Sequence, residues 1–168
     1  MSTILCLDDD AAIVVALERV LRHLGHEPLG ARTTTEALQH LARGGVELVL
    51  SDYQMPGLTG LDFLELLRSE GHDVPLIMMT GYSSIEHAVV AMRAGAIDYL
   101  PKPIRPEQLE IALGRALEVV RVRRENEALR REVSALRNER QILGESAAIR
   151  RLLQTVAMAA PTRATVLL

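Results

Sequence analysis

Aromatic residues, cysteine and long apolar runs are all scarce in this chain of 168 residues, and each scarcity argues against a class of protein. The chain has one Phe, three Tyr and no Trp, which argues against the stacking surfaces of RNA-binding sheets. A net charge of −3 argues against a strongly basic, nucleic-acid-binding chain. The single cysteine, Cys6, excludes an internal disulfide.

Membrane and secretion signals are also missing from the sequence. No apolar stretch approaches the roughly 18 residues of a membrane-spanning helix. The N-terminus lacks the basic and then apolar pattern of a signal peptide. We therefore expect a cytoplasmic protein that enters no membrane. Aliphatic side chains are abundant instead, since 48% of the residues are hydrophobic, and the length allows one full domain with an appendage.

Up to about residue 117 the sequence alternates short apolar runs with stretches of helical periodicity. Glycines fall near the predicted ends of the helices, where they commonly form C-terminal caps. The alternation predicts an α/β fold, a doubly wound sheet of five parallel strands buried on both faces. The predicted strands are TILCL (3–7), EPLGA (27–31), VELVLS (46–51), VPLIMMT (74–80) and AIDYL (96–100). The glycines are Gly25, Gly44, Gly71 and Gly95.

Polar side chains lie at or just after the ends of four of these strands, at the edge where a doubly wound sheet places its ligand site. An aspartate after a strand is by itself more often a helix cap or a turn residue. Several polar residues from four strands at one edge indicate a site. They are Asp8, Asp9, Ser51, Asp52, Thr80 and Lys102. The neighbouring Asp10 precedes a helical stretch and is predicted to cap it.

Three carboxylates at one edge form an oxygen-rich site of the kind that suits Mg²⁺. Without a cation their mutual repulsion would raise their pKa values and cost stability. A carboxylate beside Mg²⁺ can attack phosphorus, while Lys102 and the hydroxyl of Thr80 would bind phosphoryl oxygens. These residues predict a phosphoryl-transfer site with an aspartyl nucleophile.

Three strings make residues 1–117 resemble the receiver domains of two-component response regulators. They are LDDD (7–10), DYQMPGLTG (52–60) and MTGYSSIEHAVVAMRAGAIDYLPKP (79–103). The resemblance implies a flavodoxin-like sheet with the strand order 2-1-3-4-5. It also implies that Asp52 accepts a phosphoryl group from a histidine kinase. Asp8, Asp9 and Asp52 would then bind Mg²⁺ together with the backbone carbonyl of Gln54.

The same resemblance implies a two-state switch near the phosphoacceptor. Thr80 would supply the switch hydroxyl, Lys102 would sense the phosphoryl group, and Tyr99 would be the switch aromatic residue. Receiver domains usually have a cis peptide bond before the proline that corresponds to Pro103. Phosphorylation would change the face built by the helix after Thr80, the strand of Tyr99 and the following helix.

A heptad pattern covers residues 118–143 and predicts a coiled-coil linker continuous with the last receiver helix. Valine at a, mostly leucine at d and one asparagine at a favour a parallel dimer. The alternative is a single solvated amphipathic helix. The a positions are Val119, Asn126, Val133 and Arg140. The d positions are Val122, Leu129, Leu136 and Leu143.

Charges beside the heptad core also favour parallel helices. The g positions carry glutamate and the e positions carry arginine, so each g–e pair of a parallel dimer would be Glu–Arg, whereas an antiparallel dimer would bring like charges together. The pairs are Glu118 with Arg123, Glu125 with Arg130 and Glu132 with Arg137.

Residues 144–168 are too few to bury a core of their own. The phrase ILGESAAIRRLLQTVAMAAPTRATVLL is similar to the entrance of the AAA+ ATPase domain in sigma-54-dependent activators of the NtrC family. No G-x-x-x-x-G-K-[ST] motif occurs in the chain, so we expect no ATP binding by that route. The predicted domains are a receiver (1–117), a dimerising linker (118–143) and the truncated start of an ATPase domain (144–168).

The sequence therefore predicts a regulatory module and not an enzyme. Phosphorylation by a sensor histidine kinase would act through a homodimer to control a sigma-54-dependent ATPase. The full-length protein would bind ATP, sigma-54 RNA polymerase and DNA, whereas this chain would bind no nucleic acid. One alternative is a Mg²⁺-dependent phosphatase, although Gln54 stands where such enzymes need an acid/base residue. Another is a dimeric adaptor that uses the coiled coil alone, which leaves the strand-end residues unexplained.

Overall fold

The computed structural model describes residues 1–81 and 85–138, together with the single residues 146, 151 and 154. Strands and helices alternate along these ranges. The strands are β1 (Thr3–Leu7), β2 (Glu27–Ala31), β3 (Leu48–Asp52), β4 (Leu76–Thr80) and β5 (Asp98–Pro101). The helices are α1 (Ala11–His23), α2 (Thr34–Arg43), α3 (Gly60–Ser69), α4 (Ile85–Arg93) and α5 (Pro106–Asn138).

The strands form one parallel sheet in the order β2-β1-β3-β4-β5, which confirms the predicted fold and strand order. Three strands begin two residues later than their apolar runs predicted, at Leu48, Leu76 and Asp98. Val46 and Val74 precede two of them and pack against the core from the connecting loops. Hydrophobic runs therefore extend past the hydrogen-bonded ladder, because burial does not require strand pairing.

Alternate residues of each strand face opposite sides of the sheet, as strand geometry requires. In β1, Ile4 and Cys6 pack in one buried layer with α1 and α5. Leu5 and Leu7 pack in the other layer with α2, α3 and α4. The central strands β1, β3 and β4 are therefore buried almost throughout, since both of their faces are covered.

Local signals in the sequence fix the beginnings and ends of several helices. Asp10 is the N-cap of α1, as predicted, and its Oδ1 accepts a hydrogen bond from the N–H of Ala12 at 2.8 Å. Thr59 and Asp62 form a reciprocal capping box at the start of α3. The glycines predicted at helix ends adopt positive φ, which a residue without a Cβ tolerates. They are Gly25, Gly44, Gly71 and Gly95.

Helix α5 spans 33 residues and does not stop where the predicted receiver ends. Residues Met1–Glu125 form one compact unit of the chain and Asn126–Leu168 another. Among the described residues, no helix combines the length and the apolar character needed to cross a membrane. Arg140, Leu143, the side chain of Leu136 and most of 144–168 lie outside the described residues. The boundaries of the predicted linker and ATPase segment stay predictions.

Candidate phosphoryl-transfer site

The carboxyl ends of four strands bring the candidate site together. Asp8 follows β1, Asp52 ends β3, Thr80 ends β4 and Lys102 follows β5. The N–H of Lys102 donates to the carbonyl of Thr80 at 2.6 Å, which holds the chain after β5 beside the end of β4. The Lys102–Pro103 peptide bond is cis. Neighbouring parallel strands thus place at one edge residues that are far apart in the sequence.

The ammonium of Lys102 bridges two buried carboxylates. Its Nζ lies 2.6 Å from Oδ2 of Asp8 and 2.7 Å from Oδ1 of Asp52. Both aspartates are buried, and the side chain of Lys102 is 19% exposed. Two carboxylates removed from water in this way would repel each other, so the shared cation offsets a large electrostatic cost.

Burial and charge act in opposite directions on these groups. Burial raises the pKa of Asp52 above its ordinary value, and the hydrogen bond from Lys102 lowers it by a smaller amount. Burial disfavours the charged form of Lys102, but its hydrogen bonds to Asp52 and Asp8 outweigh this effect and raise the pKa of the ammonium. Lys102 therefore carries its positive charge at neutral pH.

Each buried carboxylate uses its other oxygen to accept a hydrogen bond from the backbone two residues further along. The N–H of Asp10 donates to Oδ1 of Asp8 at 3.0 Å. The N–H of Gln54 donates to Oδ2 of Asp52 at 3.2 Å. Turn hydrogen bonds of this kind orient an aspartate locally. Both carboxylates are thus held by their own turn and by Lys102.

A cation could bind beside Lys102, at a cluster of three carboxylates. Oxygens of Asp8, Asp9 and Asp52 all lie within 4.8 Å of one another. Asp9 is exposed, so the cluster is open to solvent on its side. Carboxylate ligands with room for water are the coordination that Mg²⁺ prefers. These residues fit a hard divalent cation, and the ligand role of the Gln54 carbonyl stays a prediction.

The two predicted switch residues lie on neighbouring strands. Thr80 is fully buried at the end of β4. Tyr99 in β5 is half-buried and packs against the layer that contains Ala91 of α4 and Ala96. A shift of α4 would therefore change the packing around Tyr99. The switching roles of Thr80 and Tyr99 stay predictions.

Sequence reasoning missed an aromatic contact beside Asp52. The ring of Tyr53 stacks on the imidazole of His87, with centroids 5.1 Å apart and planes at 21°. Tyr53 follows Asp52 directly, and His87 is in α4. This contact links the loop of the site to α4. No spacing in the sequence predicts it, because it depends on how α4 lies across the sheet.

The predicted dimer residues form an apolar stripe along α5. The valines and leucine of this stripe are between 37% and 60% exposed in the single chain, and Asn126 is exposed beside them. Leu136 belongs to the helix, but its side chain lies outside the described residues. An apolar stripe on a polar helix is available for a partner. The exposed apolar members are Val119, Val122, Leu129 and Val133.

Comparison with protein families identifies the domain that carries this site. The response regulator receiver domain model matches residues 4–114. A solved receiver domain from Clostridium thermocellum is 30% identical, with a TM-score of 0.68. The match covers 73% of this chain and 98% of the solved one. NtrX from Brucella abortus, solved in complex with ADP, is 32% identical with a TM-score of 0.71. It covers 96% of this chain, which spans 36% of that protein.

Curated relatives extend the similarity along nearly all of the chain. The transcriptional regulatory protein ZraR of Klebsiella oxytoca is 33% identical over 165 residues. The nitrogen assimilation regulatory protein NtrX of Azorhizobium caulinodans is 33% identical over 167 residues. Each alignment covers 98% of this chain, which spans only 36% of the length of either relative. The chain belongs to the response regulator receiver family and contains the receiver domain of a two-component response regulator.

Proposed function

We propose that Asp52 accepts a phosphoryl group from the phosphohistidine of a sensor histidine kinase. A carboxylate oxygen of Asp52 attacks phosphorus as the bond from phosphorus to the imidazole nitrogen breaks, and the nitrogen keeps the electron pair. The observation that carries this proposal is the position of Asp52 at a strand end, 2.7 Å from the ammonium of Lys102. That ammonium would stabilise the negative charge on the transferred oxygens.

Mg²⁺ would be held by Asp8, Asp9 and Asp52 and would neutralise phosphoryl charge when bound. The close approach of these three carboxylates supports the assignment. Thr80, buried at the next strand end, would donate a hydrogen bond from its hydroxyl to a phosphoryl oxygen. Phosphorylation would thereby move Thr80 and Tyr99, and their movement would alter the surface around α4.

Incubation with acetyl phosphate and Mg²⁺ tests the phosphoacceptor. We expect about one phosphoryl group per chain, and none in the Asp52→Asn variant. Asp73→Asn is the matched control, because Asp73 is an exposed aspartate outside the site and its loss should leave labelling intact. Label that survives Asp52→Asn would refute the assignment. Release of many equivalents of phosphate with little stable label would support the phosphatase alternative.

We propose further that the chain is the regulatory part of a longer sigma-54-dependent activator whose ATPase domain follows the linker. The alignment with relatives named as transcriptional and nitrogen assimilation regulators supports this, as does the match to 36% of an NtrX solved with ADP. The full-length protein should hydrolyse ATP and respond to phosphorylation. Equal rates of ATP hydrolysis by the wild type and the Asp52→Asn variant in the presence of a phosphodonor would contradict regulation through this site.

The regulatory module is proposed to act as a parallel homodimer through the coiled coil. The exposed stripe on α5 supports this, because apolar side chains at a and d positions pack against a second helix. Sedimentation of the unphosphorylated chain should show a dimer at tens of micromolar. Leu129→Asp, at a d position, should weaken it strongly, whereas Ala128→Asp adds the same charge at an outward position and should not. A wild-type monomer at that concentration would refute the dimer.

A further inference from the structure

Two ion pairs attach the beginning of the predicted linker to the receiver. Nη1 of Arg123 lies 2.9 Å from Oδ2 of Asp73 and also donates to the Asp73 carbonyl at 3.3 Å. Nη1 of Arg124 lies 3.3 Å from Oε1 of Glu47. Glu47 directly precedes β3, and Asp73 lies in the loop before β4. Both acidic residues are therefore at the amino edge of the sheet, opposite the candidate phosphoryl-transfer site.

The same face of α5 also carries the apolar contact with the receiver. Ala116 is fully buried and Val120 is only 9% exposed. Arg123 and Arg124 follow Val120 by three and four residues, so they lie on the same side of the helix. Apolar packing and two ion pairs thus continue the receiver along α5 as far as Glu125, where the first compact unit ends.

Arg123 has a second potential partner, because it occupies an e position of the predicted heptad. In a parallel dimer its guanidinium would face Glu118 of the partner subunit. In the single chain, Glu118 is also engaged, since Nη2 of Arg121 lies 2.7 Å from its Oε1. Both members of the first predicted interhelical pair are therefore held by contacts within their own chain.

We propose that Asp73 competes with Glu118 of the partner subunit for Arg123, so that the receiver weakens the first heptad of the coiled coil. This inference rests on the proposed parallel dimer. The interchain pair forms only when Arg123 leaves Asp73 and Glu118 leaves Arg121. The receiver loop before β4 thereby sets how far the two helices pair toward the receivers, and the pairs from Glu125 onward do not depend on that loop.

The exposure of the two side chains limits the size of the effect. The side chain of Arg123 is 48% exposed and that of Asp73 is 76% exposed, so solvent screens their attraction. Two such arginines are present in each dimer. Removing the competing carboxylate should strengthen dimerisation about two- to ten-fold at low salt, and the gain should shrink as ionic strength rises.

The test compares dimer dissociation constants of wild type, Asp73→Asn and Glu47→Gln by sedimentation or by fluorescence energy transfer between labelled chains. Asp73→Asn should give the tighter dimer. Glu47→Gln is the matched control, because it breaks an ion pair of the same helix at Arg124, an outward f position that takes no part in interhelical pairing. Asp73→Asn introduced into an Arg123→Gln chain should then change nothing.

Hydrogen exchange at submicromolar concentration examines the monomer separately. Amides 118–125 should exchange faster in both Asp73→Asn and Glu47→Gln, because each loses one attachment of α5, yet only Asp73→Asn should alter the dimer. Equal dimer affinities for the two variants, or a weaker dimer in Asp73→Asn, would overturn the competition while leaving the proposed dimer standing. A wild-type chain that stays monomeric at tens of micromolar would overturn the dimer and the competition together.

Discussion

Lys102 and Asp8 are 94 residues apart in the sequence, yet the ammonium of one lies 2.6 Å from the carboxylate of the other. The same ammonium contacts Asp52. Lys102 is the only lysine in the chain, and every other strongly basic side chain is arginine. A lysine provides a compact charge that can approach two carboxylates at once, whereas the planar fork of arginine suits bidentate pairing.

Replacing this bridge by an apolar side chain should destabilise the protein. Lys102→Met leaves two buried carboxylates without their cation, which should lower the free energy of unfolding by about 1–3 kcal/mol without Mg²⁺. Mg²⁺ should recover part of the loss, because it supplies positive charge to the same carboxylates. Urea unfolding with and without Mg²⁺ measures both effects. An identical gain from Mg²⁺ in wild type and variant would show that the ion does not relieve this repulsion.

Asp9 and Asp10 are neighbours with the same charge, but we expect only one of them to affect Mg²⁺ binding. Asp9→Asn removes a carboxylate of the cluster and should lower Mg²⁺ affinity about ten-fold or more. Asp10→Asn is the matched control, since asparagine is an equally good N-cap. The side-chain ammonium resonance of the single lysine provides a site-specific readout of the titration. Equal losses in both variants would point to a general charge effect.

Two glycine-to-alanine substitutions should have opposite effects on stability. A Cβ at Gly60 would lie 2.3 Å from the carbonyl oxygen of Asp52 and 2.6 Å from Sδ of Met78, so the first turn of α3 or the end of β3 would have to move. We expect Gly60→Ala to lower the free energy of unfolding by about 1–3 kcal/mol. A Cβ at Gly114, inside α5, would meet nothing within 4 Å. Gly114→Ala should raise the free energy of unfolding by about 0.5–1 kcal/mol, because alanine has the higher helix propensity. Thermal unfolding of the two variants measures both changes.

The thiol of Cys6 should report unfolding. Burial raises its pKa to about 12, so thiol reagents at pH 8 should modify it only when the chain opens. Above pH 9 an unfolded chain would ionise the thiol while the folded chain would not, so the stability of wild type should fall there relative to Cys6→Ala. Rapid labelling of the native protein by a disulfide reagent would contradict the buried position.

Features that depend on a few adjacent residues were predictable. Asp10 caps α1 because its carboxylate reaches an N–H two residues away. The parallel sheet was also predictable, because strands buried on both faces read as short apolar runs, and the order of those runs places Asp8, Asp52 and Lys102 at one edge. The stacking of Tyr53 on His87 was not, because the position of α4 depends on packing across the whole sheet.

Arg123 has one feature that follows from spacing along the chain and another that depends on the fold. Spacing along the chain was sufficient to predict the strand and helix pattern, the caps at Asp10 and the glycines, the strand-end cluster and a heptad with Arg123 at position e. The contact of Arg123 with Asp73, 50 residues away, depends on the fold and could not be predicted from spacing. The packing of Ala116 and Val120 against the receiver sets the direction of α5, and that direction brings the guanidinium to the loop before β4.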